Sequence, residues 1–166
     1  MSISLNIEVN DHNVQNLLAD TQRRLQNMSP AFKNIGEYMI RQREELFRDE
    51  KAPDGTPWTP LAQSTLNSIF RKKKRSKKAA LRSVTNKKIL TQDHHLRRTV
   101  YRAASDHVVV GPDKTSQAYA AIHQFGGKAG RGRKVLIPAR PHLGVNDEDK
   151  KEFIEIIREH LISGVV

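Results

Sequence analysis

The chain has 166 residues, the size of one domain. Only 37% of it is hydrophobic, and five Phe, three Tyr and one Trp are its aromatics, which predicts a modest core. Cysteine is absent, so disulfides, thiolate metal sites and thiol nucleophiles are excluded together. No apolar run reaches the roughly 18–20 residues that span a bilayer, and residues 1–10 lack the features of a signal peptide, which points to a soluble, intracellular protein without membrane contact.

The net charge of +11 is concentrated in one place. Ten bases and no acid lie between Arg71 and Lys88, leaving +1 for the remainder. Six more bases fall between Lys114 and Arg140, again without an acid. A nucleic-acid footprint over the whole surface would be spread more evenly.

Ile3, Leu5, Ile7 and Val9 alternate with polar residues, the period of a strand with one wet face, over 2–9. Asp11 offers a cap, and Val14, Leu17, Leu18, Leu25 and Met28 follow a 3.6-residue repeat that predicts an amphipathic helix over 12–28. Ser29-Pro30 restarts the chain as cap and first helical residue. Phe32, Ile35, Gly36, Met39, Ile40, Arg43 and Phe47 line one face of a second helix ending near Asp49.

Residues 51–60 hold three prolines and a glycine and cannot carry a regular element, and Pro53-Asp54-Gly55 reads as a turn. Thr59-Pro60 resembles a helix start, with Leu61, Thr65, Leu66 and Ile69 supporting a short helix. The stretch 71–88 repels itself and is expected to be a long, flexible basic loop. Leu96, Val100 and Val108-Val109-Val110 suggest two strands joined near Ala104-Ser105-Asp106 and ending at Gly111-Pro112. A short helix over 116–124 is broken by Phe125-Gly126-Gly127, and 126–134 reads as a flexible basic loop. Val135-Leu136-Ile137 reads as a strand closed by Pro138. Asn146 to Asp149 places a cap and acids at the start of a last helix, whose buried face is predicted to be Phe153, Ile154, Ile157 and Leu161. The order predicts an α+β fold: a small, mostly antiparallel sheet packed by helices, with 1–166 as one domain and 71–88 as an insertion.

Asp93-His94-His95 is the most enzyme-like cluster, since an Asp-His pair beginning a strand can orient a general base in a metal-dependent nuclease. A second ligand would have to be His107 or His123, so surface histidines before a strand are the plainer reading. The glycines at 126, 127, 130 and 132 do not lead from a strand into a helix with a Lys-Ser/Thr ending, so no P-loop is present. Glu44-Glu45 and Asp49-Glu50 are adjacent rather than facing, which suits a solvated helix face better than an acid/base couple. Arg71, Lys72, Lys73, Lys74, Arg75, Lys77 and Lys78 are candidate polyanion ligands, but no interleaved aromatic could stack a base. The plainer alternatives are a solvated loop or an arm against an acidic protein surface.

Several motifs in order resemble the phage virion morphogenesis family, the tail-completion and head-tail joining proteins of Mu-like phages and prophages. They are Pro53-Asp54-Gly55 with Trp58 and Leu61, Ile89-Leu90 with Leu96, then Asp106, Val108, Val110 and Gly111. They continue with Tyr119-Ala120, His123-Gln124-Phe125-Gly126-Gly127, Ile137-Pro138-Ala139-Arg140-Pro141 and Leu143-Gly144. The family tends to carry a Thr-Gly pair after its Ile-Leu, where this chain has Thr91-Gln92-Asp93-His94-His95.

Residue by residue, these motifs have structural chemistry. Asp54 can bond its own turn while Gly55 takes a positive φ, placing Trp58 over the core with its indole N–H at the edge. His123 and Gln124 can bond backbone across a joint, and Arg140 can make a fixed two-pronged contact. The resemblance implies a non-enzymatic assembly protein that needs no cofactor or metal, with phage tail and head or connector proteins as partners. It further implies a homo-oligomeric, sixfold ring at the virion neck or tail end, built in the host cytoplasm. The competing hypotheses are a nucleic-acid-binding protein using 71–88, with DNA contact possible in either case, and a nuclease.

Overall fold

A computed structural model describes residues 11–72, 87–91 and 95–162. The predicted strand 2–9, the bases Lys73, Lys74, Arg75, Lys77 and Lys78, and Asp93 and His94 lie outside the described residues.

The fold is α+β. Helices α1 (His12–Gln26), α2 (Ser29–Asp49) and α3 (Gln63–Lys72) precede strands β1 (Thr99–Ala103) and β2 (Val108–Pro112). Helix α4 (Gln117–Phe125), strands β3 (Gly127–Ala129) and β4 (Val135–Ile137) and helix α5 (Asp147–Ile162) complete it. The strands form two separate antiparallel hairpins, β1-β2 with Val100 opposite Gly111 and β3-β4 with Lys128 opposite Leu136.

The 21-residue α2 is the organising element. Its buried stripe is Ala31, Ile35, Gly36, Met39, Arg43 and Phe47, and it packs against both β1 and β2. A Cβ on Gly36 would sit 2.5 Å from the Tyr101 ring, so only glycine lets that aromatic lie flat on the helix. On its other flank, Tyr38 meets Phe153 edge-on at 5.9 Å and donates 2.8 Å to Asp149 Oδ1. Burial and that carboxylate push the Tyr38 hydroxyl above its ordinary range. The α5 start is a reciprocal cap, Asp149 N–H to Asn146 Oδ1 at 2.7 Å and Asn146 N–H to Asp149 Oδ2 at 2.8 Å.

Several predicted boundaries move for identifiable reasons. Helix α3 begins at Gln63 instead of Thr59-Pro60, whose carbonyls are bonded by the Arg140 guanidinium. Arg71 and Lys72 belong to that helix rather than to a loop, since both residue types extend a helix readily. The segment 126–134 contains β3 and a 3-10 turn at Arg131–Arg133 instead of a structureless loop, held by pairing with β4. Ile154 is 62% exposed and does not belong to the buried face of α5. Helix α1 buries no residue, leaving Val14, Leu18 and Leu25 largely exposed.

Candidate functional site

The motifs that are far apart in sequence converge on one hub around the C-terminal end of α2. Glu50 caps the helix from a left-handed φ of 56° that turns the chain back, and its carbonyl accepts the Trp58 N–H at 2.8 Å. Between them the Pro53-Asp54-Gly55 turn closes on itself: Asp54 Oδ1 accepts the Thr56 N–H at 2.9 Å, and Gly55 takes φ 83°. These bonds to Thr56 hold the Asp54 carboxyl below the ordinary carboxylate range.

The turn delivers Trp58 into the core at 4% exposure. Its ring meets Phe47 edge-on at 5.2 Å, beside Ala52, Ile89, Leu96 and Ala120, and its indole N–H donates to the Pro141 carbonyl at 2.7 Å. Pro141 belongs to the segment Pro138–Gly144, which Gln124 and Arg140 fasten further. Gln124 Oε1 accepts the N–H groups of His142 and Leu143 at 2.9 and 3.1 Å, while its Nε2 donates to the Leu143 carbonyl at 2.6 Å. The Arg140 N–H donates to the His123 carbonyl at 2.7 Å. The Arg140 guanidinium reaches two carbonyls, Thr59 at 2.8 Å and Pro60 at 3.0 Å.

Gly126 is fixed by space as well as by its φ of 72°: an added Cβ would lie 2.8 Å from the Ala139 nitrogen. Gly127 follows at φ 143° and opens β3. Phe125, between Gln124 and these glycines, is 80% exposed. It shares the α4 to β4 region with exposed Val135 and Leu136.

Sequence reasoning missed the most heavily bonded side chain. Arg43, on the apolar face of α2, is 1% exposed and donates to the carbonyls of His142 at 3.1 Å, Leu96 at 2.8 Å and Arg98 at 3.4 Å. It also donates to Thr99 Oγ1 at 2.5 Å and His142 Nδ1 at 3.1 Å. Arginine can only donate, so His142 Nδ1 accepts and the neutral ring carries its proton on Nε2. Burial lowers Arg43 to about 10, and burial together with the Arg43 charge lowers His142 to about 4. Arg43 stays charged at neutral pH while His142 is neutral. The available signal was a lone arginine at a core position of an otherwise apolar helix face.

Among the described residues no group of three His, Cys, Asp or Glu side chains could hold a metal. His107 pairs with Asp106 at 2.7 Å in the exposed turn between β1 and β2, and His123 lies on α4, where Tyr119 meets it edge-on at 6.0 Å. No helix among the described residues is long and apolar enough to cross a membrane.

The chain is similar to two phage-derived proteins. It is 34% identical to the tail completion protein S of Escherichia phage P2 over 115 residues, covering 68% of this chain and 69% of that protein. It is 59% identical to the Mu-like prophage FluMu G protein 2 of Haemophilus influenzae over 46 residues, 28% of this chain and 33% of that protein. No solved structure matches. The sequence pattern of the phage virion morphogenesis family matches residues 9–162, a span that holds every motif of the hub, and the chain belongs to that family.

Proposed function

We propose that this protein completes the phage tail and joins it to the head, acting by binding and not by catalysis. The observation that carries this reading is the family match across 9–162 together with the tail-completion relative from phage P2. The residues that the family motifs contribute are engaged in holding backbone segments together, with Trp58, Gln124 and Arg140 each bonded to main-chain carbonyls. That is the arrangement of a scaffold for a surface, since catalysis needs polar groups converging on a free reacting position.

In this reading the chain acts as one domain whose copies associate head-to-tail into a closed, sixfold ring at the neck or tail end, assembled in the host cytoplasm. Phe125, Val135 and Leu136 face the neighbouring copy. Exposed apolar side chains of this size in one region mark an interaction surface more readily than a solvated one. Phage head and tail proteins meet the rims of the ring, and the Arg71 to Lys88 bases face acidic protein surface or the DNA passing through.

The test is complementation. A phage lacking its tail-completion gene, supplied with this chain, yields joined particles by electron microscopy if the reading holds. Heads and tails that stay separate, with the chain expressed and folded, overturn it.

A further inference from the structure

A recess of about 360 Å³ opens beside the hub, between α4, the Lys87–Thr91 turn and the Pro138–Gly144 segment. Its floor is apolar, made by Leu61, Leu96, Tyr119 and Ile137. Its polar lining includes five bases, Lys87, Lys88, His95, His123 and Arg140, and no acid among the described residues. Leu90 lines it from a left-handed backbone at φ 58°, a conformation that disfavours a leucine and persists only where the surroundings enforce it.

Arg140 and Lys88 spend their described hydrogen bonds on neutral carbonyls, those of Thr59 and Pro60 and of Arg48. None of the five makes an ion pair with a carboxylate among the described residues. Asp113 feels the charge of His95, but its carboxyl is held by the Ser116 hydroxyl at 2.7 Å and N–H at 2.9 Å. The Nδ1 atoms of His95 and His123 are buried without hydrogen-bond partners. Burial, and next the Arg140 charge, hold the His123 imidazole below its ordinary range. Like charges gathered over a low-dielectric floor favour an incoming anion more than the same charges in water would.

The ligand chemistry follows from the two halves of the recess. Duplex phosphates bind broad, solvated basic surfaces by counterion release and have no apolar body to cover leucine and isoleucine. A carboxylate side chain next to an apolar one satisfies both halves, and 360 Å³ accommodates about two side chains. We propose that this recess receives an acidic side chain of a partner protein together with the apolar side chain adjacent to it. The site is separate from Phe125, Val135 and Leu136, and it does not depend on ring formation.

The test uses the whole isolated chain, so its failure leaves the tail-completion reading standing. Amide NMR spectra are recorded during titration with the blocked dipeptide N-acetyl-Phe-Asp-amide, with N-acetyl-Phe-Asn-amide, inorganic phosphate and a short DNA duplex as separate arms. The Asp peptide is expected to shift the His95, Tyr119 and His123 resonances to saturation, at least about tenfold more tightly than the Asn peptide. The double variant Lys87→Ser/Lys88→Ser is expected to weaken it by about tenfold at an unchanged melting temperature. Equal affinity for Asp and Asn peptides, no saturable shifts, or tighter binding of phosphate or DNA at the same resonances would each overturn the proposal.

Discussion

The Trp58 hub and the α4 to β4 region are neighbours in the fold and opposites in their chemistry. In the hub the long polar side chains are committed to neighbouring backbone, although the buried His142 Nε2 has no partner: Arg43 serves three carbonyls, a hydroxyl and an imidazole, and Gln124 makes three bonds to two residues. A few residues along, Phe125 is 80% and Leu136 73% exposed, with nothing polar to anchor. One region spends its side chains on its own backbone, whereas the other holds apolar surface in water. Substitutions should therefore separate folding from assembly.

The largest effect on folding is expected at Arg43. Arg43→Ala leaves the carbonyls of Leu96 and His142 without their guanidinium donor, while the Arg98 carbonyl keeps the Asp113 N–H; at about 1–3 kcal/mol for each unsatisfied group, a loss of about 4 kcal/mol should appear in urea unfolding. A loss below about 1 kcal/mol would show that water replaces the guanidinium and that the hub is looser than its bonds imply.

Trp58→Ala comes next, at about 3–5 kcal/mol for a truncated core aromatic. Trp58→Phe keeps the packing on Phe47 but removes the donor to Pro141, so it should cost about 1–2 kcal/mol. If the two variants unfold at the same denaturant concentration, the hydrogen bond and not the packing dominates at this position.

Acid should weaken the hub through His142. Its folded pKa of about 4 lies below the ordinary 6.5, so between those values the unfolded chain binds the proton that the folded one refuses. Stability is fully present above about pH 6.5 and is lost as pH falls toward 4, by about 3 kcal/mol at about 1.4 kcal/mol for each tenfold in proton affinity. His142→Asn keeps an acceptor for Arg43 and cannot titrate, so its unfolding free energy should fall less over this range. Parallel curves for the two proteins would place the acid sensitivity elsewhere.

Gly126→Ala is a smaller perturbation of the joint between the regions. The φ of 72° and the 2.8 Å approach to the Ala139 nitrogen predict a loss of about 1–3 kcal/mol, read as a lower melting temperature.

The contrast also explains what the sequence made legible. Period carried α2 and the β1-β2 hairpin, and capping the α5 start, because each is set by local pattern: the stripe from Ile35 to Phe47, the valines 108–110, and the Asn146–Asp149 box. The turn at Pro53-Asp54-Gly55 is likewise local chemistry. What escaped was non-local. The bond from Arg140 to Thr59 and Pro60 spans about eighty positions and occupies the place where Pro60 alone suggested the α3 start. Arg43 at a core position gave no hint of which carbonyls it would serve. The short β3 strand is enforced by β4 rather than by its own glycine-rich sequence. Exposure of Phe125 and Ile154 was equally invisible, since periodicity reports the apolar face and not what covers it.

The double variant Phe125→Ser/Leu136→Ser tests the division of labour most directly. It should melt within about 1 kcal/mol of the parent, because both side chains are already largely solvated. In a phage lacking its tail-completion gene, the parent chain is predicted to restore joined particles and the folded double variant to leave heads and tails apart when the two lysates are counted by electron microscopy. Equal numbers of joined particles in both lysates, or none with the parent, would contradict the account.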